Sequence, residues 1–228
     1  MTALPRRERN RLAKEKRILE AAQTIFASAG YSGATMDAVA AAAGLTKPTL
    51  YQYYASKEAL FAAMMSARRD DMLVAFESDD AASMVAQLHR FAWAYADTVM
   101  RPDLLSLARL IISEAQRFPE IGQTYQASGP DRVLAGMMEF LGAQRDAGRL
   151  AFDDNELAAQ DLWGLILSAP RTRALYQPDN PPKRDELARY VENGLKVFLR
   201  AYSTDPENDL EALEAEIANQ RPAITADD

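Results

Sequence analysis

Lys47, Thr49, Tyr51 and Gln52 fall within a single six-residue run. On a helix of about two turns they would present an ammonium, a methyl-bearing hydroxyl, a phenol and a carboxamide on its exposed side. Such groups donate and accept hydrogen bonds and fit base edges and phosphate oxygens. None is a nucleophile with an activating neighbour in view. The chain has no cysteine and a single histidine, His89, which argues against thiolate or histidine metal centres and against a histidine-based catalytic relay. No glycine-rich phosphate loop follows a strand-like run. Asp153-Asp154 leads into Asn155-Glu156 and reads as a helix cap rather than a catalytic carboxylate pair.

The elements that must present these groups are written around them. Thr35 is an N-cap, Asp37 puts negative charge in the first turn, and Ala40–Ala43 has the strongest helix propensity. Gly44 supplies the left-handed residue that ends this helix, and Leu45 is a buried turn residue. Thr46 is the next N-cap, and Pro48 is tolerated in a first turn whose N–H groups lack helical partners. The second helix, Lys47–Tyr53, cannot be stable alone and must be carried by its neighbours. A helix-turn-helix has this punctuation and places the N-terminal residues of its second helix in the major groove; a plain helix–helix corner has it too. Upstream, Arg11–Ala29 carries the stripe Ile18, Ala21, Ala22, Ile25, Phe26, Ala29, stopped by Gly30, with Tyr31 and Gly33 in the turn that follows. Downstream, Ser56 caps a fourth helix that runs through Leu60, Phe61, Met64 and Met65 to about Phe76. Residues 1–10 read as a disordered basic arm, either solubilising or lying along phosphates or a minor groove.

The run Gly44–Phe61 (Gly-Leu-Thr-Lys-Pro-Thr-Leu-Tyr-Gln-Tyr-Tyr-Ala-Ser-Lys-Glu-Ala-Leu-Phe) resembles the DNA-binding domain of the TetR (tetracycline-repressor-like) family. So do Ile18-Leu19-Glu20-Ala21-Ala22 and Phe26-Ala27-Ser28-Ala29-Gly30-Tyr31. The resemblance covers the first quarter to third of the chain. It implies an all-α protein: a three-helix helix-turn-helix domain over 11–60 behind the arm, then a larger helical ligand-binding and dimerisation domain over 61–202. Residues 203–228 remain as an acidic appendage, with Leu210, Leu213 and Ile217 as an amphipathic segment that could dock or stay free. It further implies a homodimer on a palindromic double-stranded DNA operator, mostly repressing, under the control of a small-molecule effector, with no cofactor. For individual residues, Pro48 and Thr49 would sit against bases, Tyr53 and Tyr54 would pack or touch phosphate, and Lys57 would contact phosphate. The residues themselves add Lys47, Tyr51 and Gln52 as DNA contacts, with Thr35, Thr46 and Lys57 steadying the backbone.

Charge fits a division of labour. Residues 1–60 hold nine Lys/Arg against five acids, net +4, so a chain of net charge −7 carries −11 elsewhere. The positive field is concentrated where phosphates would be met. No apolar run is long enough to span a bilayer, and the basic start lacks the apolar segment of a signal peptide, so a soluble cytoplasmic protein without a membrane partner is expected. Two rivals stay open: a helical enzyme, which lacks an activated nucleophile, and a protein-interaction module, against which the basic first segment argues.

Beyond a polar break at Glu77–Asp80, helices are expected over about 81–100, 104–116, 120–147, 155–176 and 184–201. The second should be interior, being apolar almost all round. Gly129-Pro130 should kink or split the third, and Gly148 should cap its end. Gly194 in the middle of the last signals a close helix approach. By the resemblance, the effector binds among the helices ahead of the last two, and composition offers His89, Trp93, Arg109, Glu114, Phe118, Tyr125, Met137 and Trp163. That mixture suits a hydrophobic or aromatic small molecule, although aromatics, methionines and a lone histidine at helical spacing are more often plain core. By the same resemblance the last two helices, 155–176 and 184–202, dimerise as a four-helix bundle, through Trp163, Leu167, Leu187, Tyr190, Val191, Gly194 and Phe198.

Overall fold

The structure, a computed structural model, describes residues 5–64 and 83–224. Its elements are α1 (Arg6–Gly33), α2 (Met36–Ala42), α3 (Lys47–Tyr53), α4 (helical over 57–64), α5 (Met84–Val99), α6 (Pro102–Glu114), α7 (Pro119–Ser128), α8 (Pro130–Asp146), α9 (Asn155–Tyr176), α10 (Arg184–Tyr202) and α11 (Pro206–Ile224). The all-α expectation holds: besides helices, the described residues contain one isolated bridge, between Leu150 and Ser203. None of the described helices is long and apolar enough to cross a membrane. Residues 1–4 of the expected arm, the run of the fourth helix from Met65 to Phe76 and the break at Glu77–Asp80 lie outside the described residues.

The chain forms two compact units. The first joins residues 1–68 with Pro102–Gly129 and so contains α1–α4, α6 and α7. The second joins residues 69–101 with Pro130–Asp228 and contains α5 and α8–α11. Contact thus groups α6 and α7 with the helix-turn-helix, whereas a linear cut at residue 60 separates them.

In the first unit α1 begins at Arg6, so the expected flexible arm is helical from that residue on. Nothing between Arg6 and Ala29 breaks a helix, and straight-chain Arg, Lys, Glu and Leu favour one. Gly30 kinks the helix instead of ending it: its φ of +72° interrupts the helical geometry, and one further turn follows before Ala34. Ile18, Phe26, Leu50 and Phe61 are fully buried, and Leu107 and Ile111 of α6 and Ile121 of α7 close the same core. α6 is not interior all round, as its apolarity suggested. Leu105, Leu107, Ala108 and Ile111 are buried, but Ile112 is 68% exposed, because α6 packs one side against α1.

The expected long helix is split at Gly129-Pro130 into α7, which belongs to the first unit, and α8, which belongs to the second. α8 ends at Gly148 with φ +73°, closed by bonds from Gly148 N–H to the Arg145 carbonyl (2.8 Å) and from Arg149 N–H to the Gln144 carbonyl (2.9 Å). Asp154 caps α9, its Oδ1 accepting from the N–H groups of Glu156 and Leu157 at 2.9 and 3.0 Å. Gly194 is where α9 and α10 meet most closely, since a Cβ there would lie 2.5 Å from the Leu165 carbonyl oxygen. Arg173 and Glu186 join the same two helices by a two-pronged ion pair at 2.6 Å. The acidic appendage is docked: α11 packs on α5 and α10 with Leu213 and Ile217 buried.

Candidate nucleic-acid interface

The presenting turn is built from both ends. Thr35 Oγ1 accepts from Ala38 N–H at 3.1 Å, the cap read from sequence. At the other end Gly44, with φ +64°, donates to the Ala41 carbonyl at 3.0 Å, and Leu45 N–H reaches the Ala40 carbonyl at 2.9 Å. Arg17 of α1 then donates to the Ala43 carbonyl at 2.5 Å. A Cβ on Gly44 would stand 2.9 Å from the Arg17 Nη2, the mobile end of a long side chain, so it is the positive φ that makes the turn require glycine. Sequence reasoning counted Arg17 only as charge; its place beside Ile18, at the start of the packed part of α1, was the available signal.

α3 occupies the expected residues, and Leu50 anchors it in the core. Lys47, Pro48 and Gln52 are exposed, Tyr51 is 43% exposed and Thr49 is half-buried. Thr46 sits at the N-cap position, but its hydroxyl pairs with the Thr49 hydroxyl at 2.8 Å instead of accepting from the backbone. Lys47 forms an ion pair with Asp37 at 2.9 Å across the turn, and the hydrogen bond and charge of Asp37 raise the lysine's pKa. Both side chains are exposed, so the pair is weak and open to exchange for a phosphate.

Behind α3 the polar groups face inward. Tyr54 is buried, and its hydroxyl donates to Glu15 at 3.3 Å; burial first, then the Glu15 charge, push its pKa up to about 12. Of the two roles the resemblance left open for Tyr54, packing is the one the free protein displays. Tyr53 is half-buried against the same core. Lys57 is half-buried, donates to the Tyr31 carbonyl at 2.8 Å and lies 4.4 Å above the Tyr31 ring. Tyr31 in turn donates to Glu58 at 3.4 Å, with its pKa pushed up to about 12 by burial and then by Glu58. Ser56 caps α4 by accepting from Ala59 N–H at 3.2 Å.

The eight candidate effector residues are divided between the units. Arg109, Glu114, Phe118 and Tyr125 belong to the first, where Phe118 meets Tyr31 at 5.8 Å between ring centroids and Arg109 donates to Ser106 at 3.1 Å. His89, Trp93, Met137 and Trp163 belong to the second. There Met137 is fully buried, Trp163 donates its ring N–H to the Tyr95 hydroxyl, and the Arg184 guanidinium covers Trp93 at 3.9 Å. His89 is 1% exposed, its Nδ1 has no hydrogen-bond partner among the described residues, and burial lowers its pKa. Among the described residues no three His, Asp or Glu are placed to hold a metal.

Of the expected dimer residues, Leu167, Leu187, Val191, Gly194 and Phe198 are buried within the single chain. The most apolar stripe of each helix is the one its own fold consumes. Trp163 is half-buried, and only Tyr190, 40% exposed, looks outward. The outward sides of the two helices carry Leu157, Gly164, Ser168, Tyr190 and Val197.

Residues 18–64 match the family described as "Bacterial regulatory proteins, tetR family", and residues 86–204 match "AefR-like transcriptional repressor, C-terminal domain". The HTH-type transcriptional repressor SCO4008 of Streptomyces coelicolor is 33% identical over 158 residues, which are 68% of this chain and 76% of that protein. The HTH-type transcriptional activator FasR of Mycolicibacterium smegmatis is 39% identical over 70 residues, 29% of this chain but only 32% of that protein. The solved structure of the "Flavonoid-responsive Regulator FrrA" superposes with a TM-score of 0.68 at 30% identity, over 84% of this chain and 98% of that one. These relatives are regulators rather than enzymes.

Proposed function

The chain belongs to the TetR family of DNA-binding transcriptional regulators, and on that premise we propose that it is a homodimeric repressor of a palindromic operator, released or tightened by a small-molecule effector. The observation that carries this reading is α3: a two-turn helix pinned by Leu50 that holds Lys47, Pro48, Tyr51 and Gln52 toward solvent, with Thr49 beside them. Lys47 and Thr49 meet phosphate and base edge at the helix start, and Tyr51 and Gln52 read bases along it. Thr35 and Thr46, at the two N-cap positions, contact the DNA backbone.

The dimer uses the outward side of α9 and α10, with Leu157, Gly164, Ser168, Tyr190 and Val197 meeting their own copies across a two-fold axis. Repression is supported by the name of the C-terminal match and by the name of SCO4008, the relative matched over 158 residues. The effector is apolar and aromatic, in keeping with the ring cluster Tyr95–Trp163 and with the printed description of FrrA as flavonoid-responsive.

The test is selection of the purified protein on a random duplex library followed by sequencing. Recovery of a palindrome with half-sites about 10–10.5 base pairs apart supports the reading; recovery of no motif at any salt concentration overturns it. Both tryptophans, Trp93 and Trp163, lie in the second unit, so their fluorescence reports planar aromatic effectors there. A binder that leaves operator affinity unchanged overturns the effector part, because a working coupling of about 1–3 kcal/mol changes affinity roughly 5–150-fold.

A further inference from the structure

The stripe by which α1 packs is apolar only from Ile18 onward. Ile18, Ala21, Ala22 and Phe26 are buried. Stepping back from Ile18 along that face by four, three and four residues gives Lys14, Arg11 and Arg7. All three are exposed, and none of their side chains has a hydrogen bond or ion pair with another described residue. Because the helix begins at Arg6, these cations are held on a rod rather than a loose tail. At about 1.5 Å per residue Arg7 stands roughly 16 Å beyond Ile18.

The junction shows which way this face looks. Glu15 accepts from the hydroxyl of Tyr54, the residue that ends α3, and Arg17 donates to the carbonyl of Ala43, the residue that ends α2. The cationic stripe therefore continues the side of α1 against which the helix-turn-helix lies. Lys16, on the other side, is partnered by Glu20 at 4.0 Å.

We propose that Arg7, Arg11 and Lys14 form a second DNA-contacting face, lying along duplex phosphates that flank the bases met by α3. This rests on the reading of the chain as a DNA binder. Contacts to phosphate fix position and carry no sequence information, so the face adds affinity without selectivity.

The experiment compares the full-length protein with two triple variants on a random-sequence duplex over a range of salt. One variant is Arg7→Ala/Arg11→Ala/Lys14→Ala; the other, Arg6→Ala/Arg9→Ala/Lys16→Ala, removes equal charge from elsewhere on the helix. The first should lower the slope of log K against log salt by about 2–3 per bound protomer and weaken binding at least about tenfold on every duplex. The second should move the slope less than half as far. Both should melt like the wild type, since all six side chains are exposed. Equal slopes in the two variants would reduce the effect to net charge and overturn the face, as would no change in the first. Operator selection tests the regulator reading separately, because the slope is read on random duplex whether or not a motif is recovered.

Discussion

Lys47 opens α3 and Lys57 follows it in α4, two cations with different surroundings. Lys47 is exposed and paired with exposed Asp37, so the pair costs little to exchange for a phosphate. Lys57 is committed to the carbonyl and ring of Tyr31, just past the kink at Gly30. Lys57→Ala should therefore lower stability by about 1–2 kcal/mol in urea unfolding, as loss of a charged donor to a half-buried carbonyl does. It should also weaken binding to all DNA and make the salt slope shallower by about 0.9, the signature of one lost phosphate contact. An unchanged slope with lowered stability would confine Lys57 to holding α1. His89, the single histidine, makes a second case. Burial lowers its pKa below the ordinary 6.5, and the charge of Glu216 offsets that only in part. The folded state takes up this proton only at a lower pH than the unfolded chain, so once pH drops through about 6.5 the unfolded chain binds more protons and stability falls. Above that pH the contribution is flat. The urea midpoint should thus decline on acidification below about pH 6.5 in the wild type, before carboxylates titrate, and His89→Gln should abolish that early decline.

At the scale of elements, the close approach of α9 and α10 rests on Gly194. Alanine is the better helix former by about 1 kcal/mol, yet its Cβ would meet the Leu165 carbonyl oxygen at 2.5 Å, a backbone atom that cannot turn aside. Gly194→Ala should be net destabilising by about 1–3 kcal/mol by urea unfolding; a variant as stable as the wild type would show that the two helices slide apart freely. This glycine was legible in the sequence because a conformational cost in mid-helix needs a reason. So were the ends of α2, α3, α9 and α10, where Thr35, Gly44, Asp154 and the loop 177–182 act through their nearest neighbours. Other features depend on tertiary contact and left no local mark. An apolar stripe such as Leu187, Val191 and Phe198 announces burial but not whether the same chain or a second copy covers it. The inward commitment of Tyr54 and Lys57 depends on Glu15 and Tyr31, dozens of residues upstream. The docking of α11 was undecided for the same reason: Leu213 and Ile217 show an apolar side, and only α5 and α10 supply its partner.

For the whole molecule, the first unit is assembled from two separated stretches of chain, residues 1–68 and Pro102–Gly129. The segment that resembles a DNA-binding domain ends near residue 64, yet its core is closed by Leu107, Ile111 and Ile121, which come from beyond α5. Gln23 of α1 is likewise bound to Asp103 of α6 at 2.6 Å. Burying one such aliphatic side chain stabilises by about 1.5–3 kcal/mol, so the three together contribute roughly 5–9 kcal/mol, comparable to the net stability of a small domain. A fragment of residues 1–68 should therefore show no cooperative thermal transition by far-UV circular dichroism, whereas the full chain should melt cooperatively. Joining residues 1–68 to 102–129 through a flexible Gly/Ser linker should restore the transition, because it returns α6 and α7 without the second unit. If the short fragment melts cooperatively on its own, α6 and α7 are not needed to close the core. If only the linked form does, the helix-turn-helix depends for its fold on helices supplied from the middle of the chain.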